Sequence, residues 1–419
     1  MSTNLYSYIT NETELEYVQC LSELKTELEN GEEITYEYIE SLAFNVLNLD
    51  GDKEQIFISS LWTEDFIRMI VLRIDAYDPH WSLLLVAIGN TVASPCPILM
   101  KRMVKNSVLL ELLNQFLCGN ITQSKSVTEI EKTVQDCAAW IISSFVQCIE
   151  NEIPDECLSF VPGLLMHLTN VNPDSPNKQL ITPCFRSLCA IFSVAANRKL
   201  YPNEYSSFSK IVKDRTLLLS LREELDCGLL GKPLPRTTYY PDAFNRLLTV
   251  QYLAENPEFR RVLVETNFLP LLIASLTTIF EKSQNETFLL WSRAVRSLHK
   301  IVSSKEYYSL LNNPVLKNNL AALAVGRYLE ISTFPILQLI SYPMKMRRQS
   351  ADMIVALGMK WEIQRLFWIG IVKPQSKLCF LRNLPKELIR RIMIWFALLG
   401  GFYDPNNCSL GVVRLGYKD

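Results

Sequence analysis

Histidine, the residue most often used for proton transfer in catalysis, is scarce in this chain. Only three histidines occur, His80, His167 and His299, and each falls in a different predicted helical segment. The sequence has no GxxxxGK[ST], GxGxxG, GxSxG or HExxH motif, so phosphate cradles, nucleophile elbows and zinc-protease sites find no support. Asp50-Gly51-Asp52 begins like a calcium loop, but the later ligands and the closing glutamate are missing. We therefore expect a protein that is not an enzyme and uses no metal or cofactor.

The eleven cysteines are scattered and include no CxxC pair. Neither a zinc site nor a disulfide framework is indicated, and reduced, mostly buried thiols are expected. The first ten residues lack a basic region followed by an apolar run, and the apolar stretch 392–402 is too short to span a bilayer of about 30 Å. The sequence predicts a soluble protein of the cytoplasm, the nucleus or both, with no membrane partner.

The elements that would position a site are helices. Hydrophobic residues make up 48% of the chain and charged residues 21%, with only 14 glycines, a balance typical of a packed helical protein. Apolar residues recur at helical spacing over Glu12–Glu29, and a second helix is predicted over Ile34–Leu47. We expect these two helices to form an acidic N-terminal cap, residues 1–52, on a repeat array.

A short apolar phrase recurs along the chain and indicates internal repeats. Its copies begin at Phe66, Val108, Val161 and Phe268, and Arg215–Leu221 stands where a further copy is expected between the last two. Armadillo units run for about 40 to 47 residues. The fold class predicted is therefore all-α, an armadillo/HEAT-type helical-repeat superhelix, with an array over 53–312 and further helical repeats over 313–375.

The longer steps between copies predict loop insertions at 118–127, 170–179 and 228–242. The third contains Gly231–Pro241, whose three prolines exclude a helix. This loop is either a solvent-facing connector or a binding loop laid over a groove.

Charge is unevenly distributed, although the net charge is only −2. Residues 1–50 hold eleven acidic side chains and a single lysine, whereas 341–419 hold thirteen basic and five acidic ones. Such asymmetry reflects solvated helix faces or steers partners of opposite sign to the two ends. Nucleic-acid binding is not expected, because the basic excess is confined to one terminal segment.

Leu85–Ser94, Val104–Leu113 and Cys137–Ser144 resemble the repeats of importin-α, the nuclear-import adaptor. The resemblance covers roughly residues 55–305. It implies a concave groove lined by the third helix of each repeat, in which a tryptophan stacks on a lysine stem and an asparagine fixes the backbone of an extended peptide. An indole face attracts cations, and an amide both donates and accepts hydrogen bonds.

Carried over residue by residue, the resemblance places Asn90 and Trp140 at the family's asparagine and tryptophan positions. The remaining asparagine positions hold Ser144, Ser193 and Lys300, so the row of asparagines along the groove is interrupted. Trp291 resembles another third-helix tryptophan, and Arg296 near it makes that part of the groove basic. The candidate partner is thus an extended or acidic protein segment rather than a basic import signal.

In the basic C-terminal part, Arg365–Gly370 and, after a spacer, Phe380–Ile392 resemble the F-box-like ending of ankyrin-type proteins from large DNA viruses and some amoebae. Segment 376–419 is accordingly expected to be F-box-like. The apolar and proline residues that would dock a ubiquitin-ligase adaptor are Leu384, Pro385, Leu388, Ile389 and Ile392. Pro385 suits the first turn of a helix. The alternative is that this helix only caps the array.

Together these patterns predict a non-catalytic scaffold or adaptor that holds a partner protein segment in a concave groove. The alternatives are an F-box-like substrate receptor of a ubiquitin ligase, a structural subunit of a larger assembly, a nuclear-transport adaptor and a nucleotide-exchange factor.

Overall fold

A computed structural model describes much of the chain up to residue 302 and a few positions beyond it. The described residues are 12–31, 35–44, 59–74, 83–89, 97–118, 129–148, 153–169, 178–229, 243–276, 284–302, 320, 349–350, 353, 385 and 388. Within these ranges every regular element is helical and no strand occurs, which confirms the all-α prediction.

The chain divides into two compact units, the first ending at Ile211 and the second beginning at Val212. The helices assigned to unit 1 are α1 (Glu12–Asn30), α2 (Tyr36–Phe44), α3 (Glu64–Val71), α4 (Pro97–Lys105), α5 (Ser107–Leu117), α6 (Glu129–Cys148), a 3-10 helix (Asp155–Phe160), α7 (Val161–Thr169), α8 (Lys178–Ser193), α9 (Ala195–Leu200) and most of α10 (Pro202–Asp214). Residues 83–89 of the same unit are also helical. The helices of unit 2 are α11 (Thr216–Leu229), α12 (Ala243–Glu255), α13 (Pro257–Glu265), α14 (Phe268–Ser275) and α15 (Gln284–Val302). The unit boundary thus lies inside the span 53–312 that was predicted as one array.

The first two helices pack on each other through apolar residues that include Tyr17, Leu21 and Leu42, each fully buried. Gly31 ends α1 with a positive φ of 68°, a conformation that glycine adopts at little cost. The connection to α2 is held by the Glu27 carboxylate, which accepts hydrogen bonds from the backbone N–H and the hydroxyl of Thr35 at 3.0 and 2.8 Å. The two N-terminal helices predicted from the sequence are therefore confirmed, the second beginning at Tyr36.

Helices in the rest of unit 1 are arranged in groups of three. A short first helix leads into a middle helix and then a long third helix, as in α4, α5 and α6, and again in the 3-10 helix, α7 and α8. The third helices α6 and α8 lie along each other, and the middle helix α5 packs between α3 and α7. The matching helices of these two groups therefore contact each other.

Unit 2 repeats this arrangement with its own helices. The first, middle and third helices of its complete group are α13, α14 and α15. The third helix α15 lies along α12, and the middle helix α14 packs on α11. The apolar phrase recognised in the sequence falls in or at the start of the middle helices, namely α3, α5, α7, α11 and α14.

One or two residues turn the chain from first to middle helix in three groups. Asn106 caps α5, its Oδ1 accepting a hydrogen bond from the N–H of Leu109 at 3.0 Å. Arg215 and Asn267 precede α11 and α14 with positive φ values of 70° and 61°. Asparagine tolerates this left-handed conformation better than arginine does, so Arg215 carries the greater backbone strain.

Two predicted loop boundaries differ from the structure. Helix α8 already begins at Lys178 and α11 continues to Leu229. Leu180 in the first turn of α8 and Leu225 in the last turns of α11 are buried and hold these ends against the core. The remainder of those loops, including Gly231–Pro241, lies outside the described residues. So does all of 313–419 apart from the six positions named above.

Candidate functional site

Six of the seven predicted groove residues are described, and all six lie on third helices. Trp140 and Ser144 are on α6, Ser193 ends α8, and Trp291, Arg296 and Lys300 are on α15. Asn90 lies outside the described residues. The six positions therefore belong to two helix pairs, α6 with α8 in unit 1 and α12 with α15 in unit 2.

Trp140 is half-buried, and its indole ring stacks against a cation of the same chain. The guanidinium carbon of Arg186, on α8, lies 4.7 Å from the centroid of the indole ring. Arg186 is only 5% exposed, and its Nε donates a hydrogen bond to Ser143 Oγ at 2.9 Å. These two contacts join α6 to α8. One face of the indole is thus occupied by an arginine of the neighbouring helix.

Ser144 and Ser193 are both half-buried. The Ser193 hydroxyl donates a hydrogen bond to the carbonyl of Ala190 at 2.7 Å, within its own helix. The Ser193 carbonyl accepts a hydrogen bond from Arg198 Nη1 at 3.0 Å, and the same nitrogen donates to the carbonyl of Phe192 at 2.6 Å. Arg198 therefore closes the negative end of α8, and the polar atoms of Ser193 serve the helix terminus.

Trp291 must be removed from the candidate contacts. It is 1% exposed and lies with Ala294, Val295 and Leu298 among the buried residues of α15. Their spacing of three and four positions forms one apolar face, and the indole belongs to that face. A side chain buried in this way offers no surface to a partner.

Arg296 and Lys300 lie one turn apart on α15 and share a single carboxylate. Glu255, the last residue of α12, accepts a hydrogen bond from Arg296 Nε at 2.9 Å and pairs through its other oxygen with Lys300 Nζ at 2.6 Å. The side chains of Glu255, Arg296 and Lys300 are 15%, 20% and 33% exposed. With two cations and one anion, the cluster is positively charged.

Glu255 is the site residue that sequence reasoning missed. Its equivalence to Ser193 follows from a repeated arginine cap: Arg198 donates to the carbonyl of Phe192, and Arg260 Nε donates to the carbonyl of Ala254 at 2.8 Å. In both cases the arginine stands six residues after the carbonyl that it caps. Ser193 and Glu255 each follow that carbonyl directly, so Glu255 occupies the third-helix position between Ser193 and Lys300. The arginine spacing is a sequence signal that could have found it.

The protonation of Glu255 follows from its surroundings. Burial raises the pKa of the carboxyl, but hydrogen bonds and charge from Lys300 and Arg296 outweigh burial and hold the pKa below its ordinary value of 4.5. The carboxylate is therefore ionised at neutral pH. Arg296 contacts it through Nε, and the two Nη nitrogens of the same guanidinium are further hydrogen-bond donors.

Four of the described cysteines are suited to packing rather than to nucleophilic chemistry. Burial, assisted by the charges of Asp136 and Glu156, raises the pKa of Cys137 and of Cys157 to about 12. Burial also raises the pKa of Cys184 and Cys189. Because the thiolate is the reactive form, these thiols are inert at neutral pH.

Neither the cation pair of unit 2 nor the stacked tryptophan of unit 1 is specific to one class of binding protein. No protein-family model matches the chain. No curated protein matches it with significance either. The function must therefore be inferred from the chemistry of these side chains.

Two of the five F-box-like residues are described. Pro385 and Leu388 are exposed, Leu388 by 42%, and the N–H of Leu388 donates to the carbonyl of Pro385 at 2.9 Å. This bond closes a turn that begins at Pro385. Leu384, Ile389 and Ile392 lie outside the described residues.

The described helices include none whose length and hydrophobicity would let it cross a bilayer. Within the described residues, no three or more histidine, cysteine, aspartate or glutamate side chains are grouped so as to hold a metal ion. The described site consists of two half-buried cations on α15, held in place by the carboxylate at the end of α12. Such an arrangement suits the binding of an anionic side chain.

Proposed function

We propose that this protein is a non-catalytic scaffold of the armadillo type, which binds an extended acidic segment of a partner protein along its third helices. The observation that carries the proposal is the adjacent pair Arg296 and Lys300 on α15, ordered by Glu255 of α12. The proposed location is the cytoplasm, the nucleus or both. Neither a metal nor a cofactor has a part in it.

The packing of equivalent helices supports the repeat architecture. Third helix lies on third helix in both units, α6 on α8 and α12 on α15, and middle helices pack in the same way. In a helical-repeat protein each repeat contacts its neighbours through matching helices, and the third helices present a continuous surface.

The charges of the site favour an acidic ligand over a basic one. At Trp140 the cation that would stack on the indole already comes from Arg186. Arg296 and Lys300 would repel a lysine-rich signal, whereas a carboxylate can accept hydrogen bonds from both. Arg296 and Lys300 have a carboxylate between them, an arrangement that is less suited to the closely spaced phosphates of a nucleic acid.

Peptide binding measured by fluorescence anisotropy tests the proposal. The probe is a fluorescein-labelled peptide of about a dozen residues in which pairs of adjacent Asp alternate with Ser, and the same peptide with Asn for Asp is the neutral control. We expect the full-length chain to bind the acidic peptide only, and Arg296→Gln or Lys300→Gln to weaken binding about fivefold each. Arg261→Gln, which removes the same charge from an exposed side chain of α13, should leave binding unchanged.

Two results would contradict this function. One is measurable binding that is equal for the acidic and the neutral peptide, and the other is an acidic affinity that Arg296→Gln and Lys300→Gln do not alter. A single-stranded oligonucleotide of the same length serves as a competitor. If it displaces the peptide at lower concentration than unlabelled peptide does, the cations serve a nucleic acid instead.

A second candidate function, an F-box-like substrate receptor, is favoured by the exposure of Leu388. A leucine 42% exposed directly after a proline-initiated turn is placed to contact a partner rather than the core. The test is a pull-down with the purified adaptor subunit that binds F-boxes, using the full chain, a chain ending at residue 375, and Leu388→Asp. Adaptor association should be lost in both variants and kept in Leu219→Asp, which alters a similarly exposed leucine of α11. Retention of the adaptor by the truncated chain would exclude this function.

A further inference from the structure

Glu255 makes, within the chain, the contacts that an acidic ligand would make. One carboxylate oxygen accepts from Arg296 Nε at 2.9 Å and the other pairs with Lys300 Nζ at 2.6 Å. Both oxygens are thus engaged by the two cations of the proposed binding surface. A carboxylate from a partner would need the same donors.

The position of Glu255 is unfavourable for an acid on local grounds. It is the last residue of α12, and the C-terminal end of a helix carries partial negative charge that disfavours a carboxylate. The equivalent position on α8 holds Ser193, whose hydroxyl simply bonds its own helix. An acid at this place on α12 is therefore stabilised by Arg296 and Lys300 rather than by the helix that carries it.

Arg260 fixes where the Glu255 backbone lies. Its Nε donates to the carbonyl of Ala254 at 2.8 Å, directly before Glu255, so the end of α12 is held against α13. The carboxylate is consequently presented to α15 from an anchored backbone. A tethered group in this position competes with any free carboxylate at a high effective concentration.

We propose that Glu255 is an internal competitor for the acidic ligand, occupying Arg296 and Lys300 until a segment with adjacent acidic side chains replaces both of its contacts. The inference rests on the proposed function and adds a selection rule to it. An isolated carboxylate offers the cations only the contacts that the tethered Glu255 already makes, so Glu255 outcompetes it. Two neighbouring carboxylates can each pair with one cation. The ligand class is therefore a segment with consecutive acidic residues rather than scattered ones.

Three variants of the full-length chain test this inference by anisotropy with two labelled peptides, one with paired and one with isolated aspartates at equal net charge. Glu255→Gln removes the charge and keeps the shape. Glu255→Asp keeps the charge but is one methylene shorter and cannot span both cations. Glu223→Gln removes an exposed acid of α11 and serves as the control.

The expected results differ between variant and peptide. Wild type binds the paired peptide at least about tenfold more tightly than the isolated one, and Glu255→Gln and Glu255→Asp both gain about tenfold for the isolated peptide. The control Glu223→Gln behaves as wild type. A gain in Glu255→Gln without one in Glu255→Asp would overturn the inference, because it would show a background charge effect rather than occupancy of the cations.

Failure of the inference and failure of the function give different results. If wild type binds acidic peptide and Glu255→Gln binds it no better or more weakly, Glu255 orders the cations and the internal competitor is excluded while the function stands. If no variant binds either peptide, both are overturned. If only the Glu255 variants bind, both are supported, because the wild-type site is then closed by its own carboxylate.

Discussion

Arg186 of α8 lies over the indole of Trp140 on α6, with its guanidinium carbon 4.7 Å from the ring centroid. The cation is buried, and its Nε also donates to Ser143 Oγ at 2.9 Å. Two third helices are therefore joined by a planar group that stacks and hydrogen-bonds at once. Arginine can do both because its guanidinium is flat and rigid: the face of the group stacks on the ring, while Nε donates a hydrogen bond in the plane.

Replacing Arg186 by lysine should weaken unit 1. Lysine keeps the charge but loses the flat stacking surface and the Nε donor, and it leaves Ser143 Oγ without that bond. We expect Arg186→Lys to lower the free energy of unfolding by about 2 kcal/mol, measured by urea titration of the full chain.

A matched change of an arginine outside this stack provides the control. Arg222→Lys, on the half-buried face of α11, should change the free energy of unfolding by less than about 0.5 kcal/mol. An Arg186→Lys protein as stable as wild type would show that the stack contributes nothing to the packing of α6 on α8.

The sequence predicts the helices well because their signals are local. The 3.6-residue apolar period, Asn106 before α5 and Asn256 before α13 all act over a few residues, and the helices begin where these signals stand. The same periodicity places the candidate residues on the third helices. The apolar spacing around Trp291 also carried the information that its ring is buried.

The pairings within the site could not be read from the sequence. Arg186 with Trp140, and Glu255 with Arg296 and Lys300, join different helices, and nothing local specifies which charged side chain of one helix meets which of another. Only the packing of α6 on α8 and of α12 on α15 brings them together. A basic groove was therefore expected where the structure has two cations and a carboxylate.

Gly163 allows α7 to approach the end of α5 closely. A methyl group at this position would lie 2.8 Å from Leu117 Cδ2 and 3.1 Å from Cys118 Sγ, so the neighbours must move. We expect Gly163→Ala to lower the free energy of unfolding by about 1 kcal/mol, the clash exceeding the gain in helix propensity.

Gly89 is the matched comparison because a methyl group there meets Ile141 Cγ1 at 3.6 Å, an ordinary contact. Gly89→Ala should raise the free energy of unfolding by about 0.5 kcal/mol. Thermal and urea unfolding of both variants check the pair. Equal effects of the same sign would contradict the difference in packing.

Arg198 caps the last carbonyls of α8, with Nη1 donating to Phe192 and to Ser193. Removing the cap in Arg198→Ala exposes those carbonyls and deletes a positive charge from the negative end of the helix. The free energy of unfolding should fall by about 1.5 kcal/mol. The adjacent Lys199 is exposed, and Lys199→Ala removes the same charge without a cap, so its effect should stay within about 0.5 kcal/mol. Similar losses in the two variants would assign the effect to charge alone.

Arg215 combines a left-handed backbone, φ 70°, with an ion pair to Glu265. Arg215→Ala loses the partly exposed ion pair and keeps the backbone strain, whereas Arg215→Gly loses the ion pair and relieves the strain. We expect the glycine variant to be about 1 kcal/mol more stable than the alanine variant in urea titration. Asn267→Gly, at the equivalent turn before α14, should change stability less, because asparagine already tolerates the conformation. A glycine variant of Arg215 no more stable than the alanine variant would mean that the turn is not strained.

The ion pairs of Glu255 should make unit 2 sensitive to acid. Burial opposes ionisation, but Lys300 and Arg296 hold the pKa of the folded carboxyl below its ordinary value of 4.5. The unfolded chain therefore takes up the proton at a higher pH than the folded chain does, so the stabilisation is complete above pH 4.5 and is lost as the pH falls through the lower, folded pKa. Wild type should be more stable than Glu255→Gln at neutral pH, and the difference should shrink steadily on acidification below pH 4.5. Urea midpoints of both proteins over this pH range measure it, with Glu223→Gln as a control for loss of an exposed acid. A difference that stays constant with pH would show that the carboxylate gains nothing from its two cations in the folded state.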